Sequence, residues 1–171
     1  MPVDLVLGAV AAGAAMWPAL IAEAVLPTLV AVTACGAAAP ALTRIDLAVR
    51  RLPNPITLPL IVLGLAAAAW QAVFGDWLWP LVAAGIAVLL FVMSLAGGMG
   101  MGDVKLTAAL VLAVSQFAWM PVLVVVAAFV SAGLVGIVAL LRGVRRLPFG
   151  PFLVVGFAVA LVVQALSLVR V

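Results

Sequence analysis

The chain has 171 residues, 70% of them hydrophobic and 8% charged, with a mean hydropathy of +1.51, which leaves too little polar surface to coat a soluble domain. The net charge of +3 comes from Lys and Arg set singly or in pairs at the ends of apolar runs, so the basic stripe or tail of a nucleic-acid partner is missing. One cysteine, Cys35, and no histidine exclude an internal disulfide, a Cys-based zinc site and the usual general base, so any catalysis runs mainly on carboxylates.

The class that follows is all-α: a polytopic transmembrane helix bundle of six or seven spans. It forms a single integral membrane domain over residues 1–171, with no soluble domain, linker or repeat. An isolated span satisfies its backbone hydrogen bonds internally only as a helix, and a barrel would show short alternating strands instead. In chain order, apolar segments of about membrane length lie near 3–22, 25–44, 56–74 and 77–96, then near 104–118, 120–141 and 149–169. The first lacks the cationic flank of a cleaved signal and is kept as a span. The fifth is short, and only "QFAWMP" separates it from the sixth.

Counting seven spans, Arg44, Arg50, Arg51, Lys105, Arg142, Arg145 and Arg146 fall on one side and Arg170 on the other, which makes the first side cytoplasmic. This bias explains the arginines as topology signals; a substrate role for Arg50 or Arg51 is the alternative. The opposite side carries Glu23, Asp76, Trp77, Trp79 and Trp119, which suit an interfacial belt.

Of five acids, Asp4, Glu23 and Asp76 read as boundary residues, whereas Asp46 and Asp103 both fall at cytoplasmic ends of apolar segments, where packing of their helices would bring them together. Asp46 lies in "LTRIDLAVRRLPNPITL", a helix ending near Arg51 before Pro53 and Pro55. Its ordinary explanation is an ion pair with Arg50, four residues on. Asp103 follows "GGMGMG", where Gly97, Gly98, Gly100 and Gly102 permit positive φ and close approach of another chain. Its ordinary explanation is an N-cap after a glycine-rich turn. The stretch is not a phosphate loop, since no Gly-Lys-Ser/Thr ending follows.

Together "IDLAVRRLPNPIT" and "GGMGMGDVKL" resemble the two signature regions of type IV prepilin peptidases, membrane aspartic proteases of the GxGD type. A third stretch, "LPFGPFLVVG" at 147–156, resembles the Pro-Phe-Gly-Pro segment that opens a late span in that family. The resemblance covers about 40–160 and implies a catalytic pair at Asp46 and Asp103, with Gly100, Gly102, Lys105, Pro53 and Asn54 supporting or binding substrate. Turn formation explains Pro53, Asn54 and Thr57 equally well. Two nearby carboxylates would share a proton, one activating water and the other protonating the oxyanion and leaving amine, which calls for no metal or cofactor.

The substrate implied is a pilin precursor, cut after a glycine that joins a basic leader to a hydrophobic helix, at the cytoplasmic face of the inner membrane. Leu52 stands where isoleucine is expected, a conservative departure. Larger bifunctional relatives carry a cysteine-rich segment and methylate the new amino terminus; one cysteine and no soluble loop argue against that activity and for the peptidase-only Tad/Flp pilus type. A signal peptide peptidase or presenilin relationship fails because tyrosine is absent and both Pro-Ala-Leu copies, at 18–20 and 40–42, precede Asp46. The alternative from another class is a small transporter or pilus-assembly subunit whose Asp pair binds protons or a cation.

Overall fold

In the computed structural model, which describes residues 2–21, 24–49, 51–97, 99–143 and 148–169, every regular element among them is a helix. In chain order these are α1 (Pro2–Ile21), α2 (Leu26–Val49), α3 (Asn54–Phe74), α4 (Leu78–Leu95), α5 (Met101–Ala113), α6 (Met120–Leu141) and α7 (Gly150–Val169). The expected helical bundle is borne out, with the fifth and sixth apolar segments as separate helices. Among the described residues, five helices, α2, α3, α4, α6 and α7, are long and apolar enough to cross a membrane. Glu23, Arg50, Gly98, Arg145, Arg146, Leu147 and Arg170 lie outside the described residues.

The breaks between helices follow local chemistry. Pro53 sits extended before α3 (φ −74°, ψ 129°), and its carbonyl accepts the Thr57 hydroxyl at 3.2 Å. Asp76, expected to be a boundary residue, accepts the Leu78 N–H at 2.9 Å and so satisfies an amide at the start of α4. Gly97 and Gly143 close α4 and α6 with φ of 80° and 78°, a conformation open mainly to glycine. Trp77 and Trp119, at the starts of α4 and α6, are exposed.

Small residues set which helices pack most closely. Between lipid-facing helices the hydrophobic effect offers little drive, so backbone approach through glycine and alanine matters more. Gly36 of α2 fits against Ala11 and Ala15 of α1, Gly64 of α3 against the Ala109 carbonyl and Leu112 of α5, and Gly156 of α7 against the Val124 carbonyl and Ala128 of α6. A Cβ on Gly64 would come 3.0 Å from both of its neighbours.

The centre of the bundle is α5. It touches α2, α3, α4, α6 and α7, and Leu106, Thr107 and Ala109–Val114 are buried. Its 13 residues extend roughly 20 Å, short of the ~30 Å hydrocarbon core. The chain then continues through buried turns at Ser115 and Phe117, and Gln116 Oε1 accepts the Val25 N–H at 3.1 Å, joining this end of α5 to the chain entering α2. Large apolar side chains such as Leu5, Val62, Leu89, Leu134 and Val162 point outward, the pattern of a surface solvated by lipid.

Candidate active site

Asp46 lies in the last turn of α2 and is 4% exposed. Its Oδ2 accepts the backbone N–H of Gly150 at 2.9 Å, across 104 residues of chain. Gly150 is the first residue of α7, where amides lack helical acceptors and the helix dipole is positive. Pro151 has no N–H, and the Phe152 amide turns back to the Phe149 carbonyl at 3.0 Å, leaving the Gly150 amide free for the carboxylate. A hydrogen bond to a charged group of this kind contributes about 1.5–3 kcal/mol. The expected Asp46–Arg50 ion pair involves a residue outside the described ones.

Asp103 is not an N-cap. Gly100 occupies the cap position in extended conformation (φ −67°, ψ 136°), and Asp103 is the third residue of α5, its amide bonded to the Gly100 carbonyl at 3.0 Å. The carboxylate is therefore not spent on capping. It folds over Gly100, where a Cβ would come 3.1 Å from Oδ2. Gly102 serves another close approach, with the Leu52 Cβ 3.2 Å from where its own Cβ would stand. Both glycines thus act by leaving space, and among the described glycines of this stretch the positive φ falls at Gly97.

Around these groups is a cavity of about 370 Å³, lined by Asp46 and Asp103 together with Arg51, Asn54, Gly100 and Lys105, and by Leu52, Met101 and Gly102. Lys105 Nζ donates to Asn54 Oδ1 at 2.9 Å and ties the start of α5 to the start of α3. Pro53 stands outside the cavity and shapes it by placing Asn54. The expected site residues are thus brought to one end of the bundle. Desolvation by burial, and then the negative charge of Asp46, push the Asp103 carboxyl up to about 6. Two carboxylates on one cavity, one holding its proton more tightly than usual, can divide acid and base work between them.

An apolar groove of about 290 Å³ adjoins the cavity, with Met101 and Lys105 lining both. Its remaining walls come from α3, α4 and α5 at Ile61, Ala87, Val88, Phe91, Val104 and Ala108. Sequence reasoning missed this groove and the Gly150 amide. The "PFGP" stretch pointed to the start of α7, but nothing in it says which side chain its amide meets.

A sequence profile of the type IV leader peptidase family matches residues 33–140, a range holding both aspartates. Two curated relatives are prepilin leader peptidase/N-methyltransferases of Burkholderia pseudomallei, strains 1026b and K96243. Each is 38% identical over 174 residues, covering 93% of this chain and 53% of the relative. The chain therefore spans about half the length of the curated relatives it matches. No solved structure matches.

Proposed function

This chain belongs to the type IV leader peptidase family, and on that premise we propose that it is a membrane aspartic endopeptidase that removes the leader from type IV pilin-like precursors, cutting after a glycine at the cytoplasmic face of the inner membrane. The observation that carries the reading is the meeting of Asp46 and Asp103 on one cavity at one end of the bundle. Arg51 and Lys105 line the same cavity, and by the positive-inside rule they favour the cytoplasmic side.

Asp46, ionised and fixed by the Gly150 amide, takes a proton from water as the water oxygen attacks the scissile carbonyl. Asp103, which retains its proton to higher pH than an ordinary carboxyl, donates it to the developing oxyanion. Collapse of the tetrahedral intermediate breaks the C–N bond as the leaving amine takes the proton gained by Asp46, and the oxyanion's proton returns to Asp103. Lys105 and Asn54 hold the mouth of the cavity between α3 and α5. The groove shared through Met101 and Lys105 receives the apolar segment that follows the cut. This reading concerns the peptidase reaction, not the methyl transfer in the names of the relatives.

The test is coexpression with a prepilin from the same genome, scored by gel mobility and by the amino-terminal sequence of the product. Wild type should cleave after the leader glycine, and Asp46→Ala or Asp103→Ala, at matched membrane levels, should leave the precursor intact. Equal processing by all three proteins would refute the dyad, and the same variants altering ion movement without touching the precursor would favour a transport role.

A further inference from the structure

We propose that Gly150 is a positioning residue for Asp46, so that the start of α7 is a working part of the site. The Gly150 amide pins Oδ2 of a carboxylate that is 4% exposed. This holds one carboxylate oxygen in place on a residue that also lines the cavity. The same contact requires the absence of a side chain at 150. A Cβ there would lie 2.7 Å from Oδ2, 3.0 Å from Cγ and 3.2 Å from Cβ of Asp46, nearer than atoms tolerate without one of them moving.

Which of them moves follows from the packing. Helix α7 is seated on α6 through Gly156, which fits against the backbone of Val124 and Ala128, and its residues Leu153 and Phe157 are buried in the core. The Asp46 side chain turns about two bonds. A methyl group at 150 therefore displaces the carboxylate and leaves the helix in place. Pro151 completes the device, since its ring favours a helix start at this point and removes a donor that would compete for the carboxylate.

The inference rests on the peptidase reading for its kinetic arm only. In that arm Gly150→Ala lowers kcat on a prepilin substrate about 100-fold, the scale of loss from an approximately 1 Å misplacement of a reacting group, with KM little changed. The second arm needs no substrate. Gly150→Ala lowers the midpoint of thermal unfolding in detergent far more in the wild-type background than in Asp46→Ala, where the carboxylate is gone and only the 3.2 Å contact with the Cβ of residue 46 remains, so the two substitutions are strongly non-additive. An unchanged kcat on a substrate that wild type cleaves, or an equal loss of stability in both backgrounds, overturns the proposal. If Gly150→Ala alone does not accumulate, recovery of folded protein in the Asp46→Ala, Gly150→Ala double variant supports it and failure of that variant overturns it. Absence of cleavage by wild type would count against the peptidase reading, and the stability cycle would still decide the contact.

Discussion

Burial and the charge of Asp46 hold the Asp103 carboxyl at about 6, and two outcomes follow from that one displacement. With Asp103 as the proton donor, kcat/KM declines on the alkaline side from near pH 6 upward. The same limb measured in kcat lies higher, because bound substrate excludes water from the carboxyl; a pH series on purified enzyme and a prepilin peptide checks both. The second outcome concerns stability. An acid whose folded value is raised above the unfolded one, about 3.9, binds its proton more tightly when folded, so stability falls as pH rises from about 4 through about 6. Asp103→Asn, which the proposed mechanism makes inactive, should therefore unfold at a higher temperature than wild type at pH 7, while the two converge near pH 4. A lower midpoint for Asp103→Asn at pH 7 would contradict this. At this scale both aspartates were legible in the sequence, because acids are scarce and these two sit at the same predicted membrane edge. The Gly150 amide was not legible, since a backbone N–H carries no sequence signature and its partner lies 104 residues away.

At the scale of elements, the groove along α3, α4 and α5 tests how substrate is held. Ala108 lines the groove but not the cavity that holds the two aspartates, so Ala108→Phe fills the one and leaves the other. Its expected effect is a KM raised roughly tenfold, equivalent to about 1.4 kcal/mol of binding, with kcat retained. An unchanged KM would place the apolar part of the substrate elsewhere. The spans were readable as apolar runs broken by proline, glycine and charge, and six of seven helix positions follow directly from them. The central place of α5 was not readable, because in so apolar a chain hydropathy does not separate a side chain that faces lipid from one that faces protein. What betrays it afterwards is Gly64 of α3 fitting against Ala109. The start of α5 was misplaced for a related reason: Gly100 takes the cap position with an ordinary negative φ, so the acid three residues on is free for chemistry.

For the whole molecule, the disposition across the membrane is the remaining expectation, and single-cysteine labelling measures it. In a Cys35→Ala background, Arg51→Cys should react only with reagent admitted to the cytoplasmic side and Asp76→Cys with impermeant reagent added outside; both parent residues are exposed, and the reverse pattern would invert the topology. The seat of Asp46 against Gly150 also sets an order of events during synthesis. When Asp46 leaves the ribosome its amide partner has not yet been made, and α3, α4, α5 and α6 must all be translated first. At roughly 5–20 residues per second, this interval lasts on the order of 5–20 s. On the proposed reading, a nascent chain passing through the insertion machinery beside other newly made membrane proteins carries an unassembled catalytic group, and hydrolytic competence is expected only once α7 is in place.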